Sequence, residues 1–298
     1  MMLINIDAGH GSNTAGKRTP PFLHDIKIND KLIVKKGEQF REHIANVGVA
    51  FLLEKELQRC GFETMRTGWN DDNAFDDPDT PLVDRQRVIA KANCDYSISI
   101  HFNAFGDGNT FNSANGVGVY IHDKHIERSQ KLAEIVLSEL VQGTKQTNRG
   151  VTKQSLAMCN CNNLDVKGAI LVELAFMTNL KEATEMMASE KYWKECAIEI
   201  AKGVCKFKSI RYVAESYTPT KAITPESSKE DIKWAQEKLN AVIPDWLPKL
   251  TIDGDYGPKT RIAVLVYWDS LGWAKHMNDD GKKMGTATRE ALAEGRKA

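Results

Sequence analysis

The chain has 298 residues, a length that suggests about two domains at the usual size of roughly 150 residues each. Its 40 Lys and Arg offset 40 Asp and Glu, and the formal net charge of +0 argues against a nucleic-acid partner held by bulk electrostatics. No apolar stretch reads as a membrane span and no basic, apolar leader precedes the first strand, so stable membrane insertion is not expected and the chain as encoded is expected to stay in the cytoplasm.

In chain order, Leu3 to Ala8 reads as a short buried strand, and Gly9-His10-Gly11 forces a turn that leaves an imidazole at the strand's end. His10 can hold a metal if partners meet it there; alone, a histidine between glycines is more often a turn residue than a ligand. Ser12 to Glu38 is a polar functional loop with at most a short hairpin. From Phe40 to Gln58 the periodicity predicts a helix with Phe40, Ile44, Val47 and Phe51 on one stripe, ended by Gly61. Phe62 to Arg66 reads as a strand, and Gly68 to Pro81 as an acidic, solvated loop whose spacing does not fit an EF-hand.

A helix from Leu82 to Asn93 leads into the strand Tyr96 to Asn103, a β-branched run that carries His101 near its end. Gly116 to His122 alternates as a strand, and Ile126 to Leu140 as an amphipathic helix. Ala169 to Leu174 is an apolar run interrupted by Glu173, followed by helices at Leu180 to Met187 and Tyr192 to Phe207. Strands alternating with helices predict an α/β fold, a mostly parallel sheet covered by helices on both faces. In such sheets the C-terminal strand ends converge on the ligand crevice, so His10, His101 and Glu173 are expected to meet there.

Thr-Pro punctuation between Ser209 and Glu226 predicts a linker. Beyond it, the run from Asp253-Gly254 to Val264 is echoed by Asp280-Gly281 to Leu292, each a glycine turn feeding a helix, which predicts a small all-helical second domain with an internal repeat. The six cysteines are dispersed, as suits a reducing compartment. Cys159 and Cys161 lack the spacing of a zinc knuckle and read as loop thiols.

The motifs Asp7-Ala8-Gly9-His10-Gly11, Glu42, Leu82-Val83-Asp84-Arg85, Ser99-Ile100-His101-Phe102-Asn103, Asn148-Arg149-Gly150-Val151 and Val172-Glu173-Leu174-Ala175-Phe176-Met177-Thr178-Asn179, in that order, resemble the zinc-dependent N-acetylmuramoyl-L-alanine amidases over essentially residues 1–207. The tail resembles small peptidoglycan-binding domains. The resemblance implies a catalytic domain at 1–207, a linker at 208–227 and a wall-binding helical domain at 228–298. It further implies that His10, Glu42 and His101 bind Zn2+, that Glu173 is the catalytic carboxylate, and that Asn103 and Arg149 contact substrate.

The chemistry fits those residue types: two imidazoles and a carboxylate leave a zinc ion one open position, and a carboxylate in an apolar strand suits proton transfer. Periodicity alone favours His43 over Glu42 as the helix-borne ligand, since Glu42 falls almost opposite the apolar stripe. The expected activity is cleavage of the amide between N-acetylmuramic acid and L-alanine of peptidoglycan, in an endolysin-like or autolytic setting where the enzyme reaches the wall after release. A non-catalytic wall-binding protein and a zinc peptidase acting on another amide are the alternatives, and no oligomeric state is implied.

Overall fold

The computed structural model describes residues 2–28, 31–124, 127–215, 217–273 and 280–297. The chain forms two compact units, Met1–Ala214 and Glu215–Ala298.

The first unit runs β1 (Leu3–Ala8), a hairpin of β2 (Ile26–Ile28) and β3 (Lys31–Val34), α1 (Glu42–Arg59), β4 (Glu63–Thr67), α2 (Leu82–Lys91), β5 (Tyr96–Asn103), β6 (Val117–Ile121), α3 (Glu127–Thr144), β7 (Asn148–Lys153), a 3-10 turn (Ala157–Cys159), α4 (Cys161–Leu164), β8 (Gly168–Phe176), α5 (Leu180–Glu182) continued by a π-helical turn (Ala183–Met187), and α6 (Glu190–Phe207). Six strands form one sheet in the order β4-β1-β5-β8-β6-β7. All neighbours are parallel except β6 and β8, so the sheet is mixed but mostly parallel.

Each central strand alternates between two buried faces. Ile4, Ile6, Ile98, Ile100, Ile170 and Val172 join residues of α1, α3 and α6 in the large core. On the other face Ala169 meets Ile89 of α2, Met158 of the 3-10 turn and Leu164 of α4 in a smaller one. Helices therefore cover both faces, as the strand and helix alternation predicts.

Two elements differ from their sequence patterns. Helix α1 is buried on more than one side: Ala45, Val47, Val49, Ala50 and Leu53 are inaccessible, and so are Glu42, His43 and Asn46. It lies between the sheet and α6, where a side chain on Gly48 would stand 2.3 Å from the Trp193 ring. A helix enclosed in this way has no single apolar stripe, so its wheel misplaces Glu42. Strand β7 has no apolar alternation, but as an edge strand it is largely exposed and needs only the ladder to β6. Helix α3 begins its described part at Glu127; the expected first residue, Ile126, lies outside the described residues.

The stretch expected as a linker at 208–227 is instead taken up by the two units. Tyr212 Oη donates to Glu56 Oε2 at 2.5 Å, and the Val213 carbonyl accepts from Arg59 Nε at 2.9 Å, which fastens this segment to α1. In the second unit, Ile223 exchanges backbone hydrogen bonds of 3.0 and 2.9 Å with Met284, and the Pro219 carbonyl accepts from Arg289.

That unit contains α7 (Lys229–Val242), α8 (Pro258–Ser270) and α9 (Thr286–Ala293) around its own core of Trp234, Leu239, Tyr267, Trp268 and Leu292. The sequence repeat is a structural one. Gly254 and Gly281 both take left-handed φ, 81° and 78°, and Gly257 and Gly285 stand just before α8 and α9. Ala263 and Ala291, at matching places in the two helices, are both fully buried.

Residues 1–214 should therefore fold alone, whereas a chain cut at 207 loses the bonds of Tyr212 and Val213 to α1. Urea unfolding should find the shorter fragment less stable by about 1–2 kcal/mol; equal stability would mean that 208–214 contributes nothing to the unit.

Candidate metal and catalytic site

Because side chains alternate along a strand, the polar residues of β1 and β5 fall together on one face of the sheet. Asn5, Asp7, Ser97 and Ser99 are all fully buried there. Asn5 Nδ2 donates to Ser97 Oγ at 2.9 Å, Ser99 Oγ to Asp7 Oδ2 at 2.5 Å, and Thr67 Oγ1 to Asp7 Oδ1 at 2.9 Å. Arg85 of α2, buried as well, closes the network. Its guanidinium pairs with Asp7 Oδ1 at 3.0 Å and donates to the carbonyls of Ala8 at 2.7 Å and His10 at 2.5 Å, while also reaching Asp79 Oδ1 at 3.0 Å and the Thr80 carbonyl at 3.0 Å.

The turn after β1 is held from the other side by α1. The Gly9 carbonyl accepts from His43 Nδ1 at 2.9 Å and from Asn46 Nδ2 at 3.0 Å, so the His43 Nδ1 carries the proton and the ring faces the backbone. Gly9 admits no side chain, since a Cβ would come within 2.2 Å of the His101 ring. His10 follows in a left-handed conformation at φ 64°.

Three of the expected residues meet here. Glu42, the first residue of α1, places Oε2 3.2 Å from His10 Nε2 and Oε1 3.1 Å from His101 Nδ1. The Phe102 amide and Asn46 Nδ2 also donate to Glu42 Oε1, at 3.1 and 3.3 Å. The ligand-capable atoms of His10, Glu42 and His101 lie within 4.8 Å of one another, the one such group among the described residues. His43 is adjacent in sequence but spends Nδ1 on Gly9 and points Nε2 at Asp77, 3.7 Å away. Glu42, not His43, is the residue of α1 that faces the two histidines.

Glu173 pairs with His101 in the β5–β8 ladder, so the two side chains leave the same face about 5 Å apart at the backbone. Its Oε2 is buried without a hydrogen-bond partner. Burial pushes the Glu173 carboxyl up to about 8; the Glu42 charge adds to this, and His101 and Lys17 oppose it. Burial acts on Glu42 in the same direction, but hydrogen bonds and charge from His10 and His101 hold that carboxyl well below the usual range. For His101, burial favours the neutral ring, yet the Glu42 hydrogen bond and charge raise its value above the ordinary imidazole.

Just past this pair the β5–β8 register slips, and Asn103 comes opposite Phe176. Asn103 Nδ2 stands 3.4 Å from Tyr120 Oη, and the Arg149 guanidinium lies over the Phe176 ring at 5.0 Å while donating to the Asn115 carbonyl at 3.2 Å. Asn103 and Arg149 thus gather around Phe176 beside Glu173. A cavity of about 400 Å³ opens on the other side, lined by His10, His101, Pro81, Leu82, Leu156 and Met158. Cys159 and Cys161 stay outside the site: Cys159 is buried with Sγ toward the Tyr120 carbonyl, and Cys161 Sγ lies 3.3 Å from Ser129 Oγ.

Asp7 and Arg85, which place His10, escape the sequence reading of roles. Their signal is nonetheless present, since Asp7 is a lone acid in an apolar strand, the same mark that singles out Glu173.

The raised Glu173 value has a consequence for stability. The group titrates near 4.5 when unfolded and near 8 when folded, so the folded state holds the proton more tightly and stability falls as pH rises through that interval. A glutamine has no such titration. In chelator, the melting-temperature difference between Glu173→Gln and the parent should be small at pH 4.5 and grow in favour of the variant up to pH 8; a difference that does not change with pH would mean that Glu173 ionises normally.

Comparison with known proteins agrees with this architecture. The N-acetylmuramoyl-L-alanine amidase family (Amidase_3) matches residues 4–206. Among solved structures, an N-acetylmuramoyl-L-alanine amidase from Clostridium difficile 630 is 25% identical with a TM-score of 0.55, the match covering 70% of this chain and 97% of that one. The catalytic domain of CwlV from Bacillus (Paenibacillus) polymyxa var. colistinus is 22% identical with a TM-score of 0.53, over 71% and 100% of the two chains. AmiC2 of Nostoc punctiforme is 22% identical with a TM-score of 0.52, over 70% and 97%. No curated protein matches. With its strands delivering His10, His101 and Glu173 to one end of an amidase-like sheet and the family match spanning two thirds of its length, the chain belongs to the N-acetylmuramoyl-L-alanine amidases, hydrolases of bacterial peptidoglycan.

Proposed function

We propose that the chain is a zinc-dependent N-acetylmuramoyl-L-alanine amidase in which His10, Glu42 and His101 hold the metal and Glu173 moves the proton. The observation that carries this reading is the convergence of two imidazoles and one carboxylate, with an unpartnered carboxyl oxygen of Glu173 beside them. The donor set suits zinc, because two imidazoles and one carboxylate are ligands it takes, and their ligand-capable atoms lie within 4.8 Å of one another. When bound, zinc supplies Lewis acidity to the scissile carbonyl and a positive charge that favours the ionised form of Glu173.

In this reading the residues divide the remaining work. Glu173 takes a proton from the attacking water as the new C–O bond forms and returns it to the nitrogen of L-alanine as the C–N bond breaks, leaving a lactyl carboxylate and a free amine. Glu42 stays ionised throughout, held by both histidines and by the Phe102 amide. Asn103 and Arg149 contact the substrate on the Phe176 side, where the guanidinium keeps donors free beyond its one bond to Asn115.

Purified protein should carry about one zinc ion and, on isolated wall, release new amino groups without new reducing sugars. Glu42→Ala should lose the zinc and the activity. Glu173→Gln should keep the zinc and lose activity by about 100-fold or more, and His43→Ala should keep the zinc. Near-normal turnover by Glu173→Gln removes that residue from the mechanism, and zinc lost from His43→Ala but kept by Glu42→Ala reverses the ligand assignment.

The second unit is proposed to hold the wall, on the strength of its repeated Asp-Gly turn and helix. A fragment of residues 215–298 should sediment with purified peptidoglycan; recovery in the supernatant counts against a binding role.

A further inference from the structure

Lys17 is an exposed cation that the site described above does not use. Its carbonyl accepts from the Glu42 amide at 3.0 Å, which fastens the loop at the start of α1 beside the metal-ligating carboxylate. Its ammonium has no hydrogen-bond or ion-pair partner among the described residues, yet its charge reaches Glu173. If Lys17 were there to pair with Glu173, the two would be in contact. No hydrogen bond or ion pair joins them among the described residues, and Glu173 Oε2 has no partner. A lysine whose backbone is fastened to the first residue of α1, and whose exposed ammonium pairs with no protein anion among the described residues, is available to an anion of the substrate.

Resting on the amidase reading, we propose that Lys17 reads the free α-carboxylate of the second residue of the stem peptide, so that the enzyme favours walls in which that residue is a γ-linked glutamate over walls in which it is amidated. The chemistry of the substrate places a charge at the required range. One alanyl residue separates the scissile nitrogen from the second residue, whose α-carboxylate lies about 6 Å from the bond to be cut. A lysine side chain on the loop beside Glu42 spans a similar length. Amidation at that position removes the charge and replaces an acceptor by a donor, which an ammonium cannot use.

The test uses the full chain and two synthetic ligands, N-acetylmuramyl-L-alanyl-γ-D-glutamyl-L-lysine amide with the glutamyl α-carboxyl either free or amidated. Calorimetric titration onto Glu173→Gln, where binding is read without turnover, should find the free acid bound about tenfold more tightly. Adding Lys17→Met should remove the preference by weakening the acid form alone, and Lys17→Arg should keep it. Equal binding of the two ligands by Glu173→Gln, or a loss on Lys17→Met that falls on both alike, overturns the proposal. Turnover of the same compounds by the unsubstituted enzyme tests the amidase reading separately: if no L-alanyl peptide is released while the carboxylate preference and its dependence on Lys17 persist, that reading fails and the assignment of Lys17 stands.

Discussion

The buried guanidinium of Arg85 is the constraint on which the site depends. Five groups from two segments converge on it: the Asp7 carboxylate and the carbonyls of Ala8 and His10 from the end of β1, and Asp79 and the Thr80 carbonyl from the loop before α2. The Ala8 and His10 carbonyls lie at the end of β1 and just past it, where a carbonyl shielded from water needs a donor. A buried ion pair adds little net stability over an apolar pair of the same size, but removing one partner costs about 3–5 kcal/mol because the other charge stays uncompensated. The contribution of Arg85 is therefore one of placement. It holds the strand end, and His43 and Asn46 grip Gly9 from the opposite side, so the backbone of the left-handed His10 is fixed beside Glu42.

The fold was legible where sequence patterns report on one environment at a time. The runs that lead to His10, His101 and Glu173 are buried strands with a polar residue near or just past the C-terminal end, and parallel pairing brings such ends together. Legibility failed where an element has two environments. Helix α1 packs on the sheet and on α6, so the apolar stripe that placed Glu42 outside reports only one of its contacts. The motif resemblance pointed to Glu42 without the helix wheel, and Glu42 is the residue of α1 that lies beside His10 and His101. Strand β7 was illegible for the opposite reason: an exposed edge strand has little to bury, and Asn148, Arg149 and Lys153 are ordinary there. The Thr-Pro stretch looked like a linker because its chain is extended and polar, although Tyr212 and Ile223 each anchor part of it within a unit.

Glu42 and Glu173 have the same side chain and share a site, and their environments push them in opposite directions. Both are penalised by burial. Glu42 sits at a helix N-terminus, where the orientation of the backbone amides favours a negative charge, and it accepts hydrogen bonds from two rings, one amide and Asn46. Glu173 projects from the middle of an apolar strand whose amides are committed to the ladder, so it finds no donor, and the ionised Glu42 nearby raises it further. A group already ionised is fit to hold a cation, and one poised between its two forms near neutral pH is fit to take up a proton and give it back. The opposite shifts thus follow from where the backbone puts each carboxylate. A helix start supplies donors and a strand interior does not, and that difference sets the direction in which each carboxyl moves.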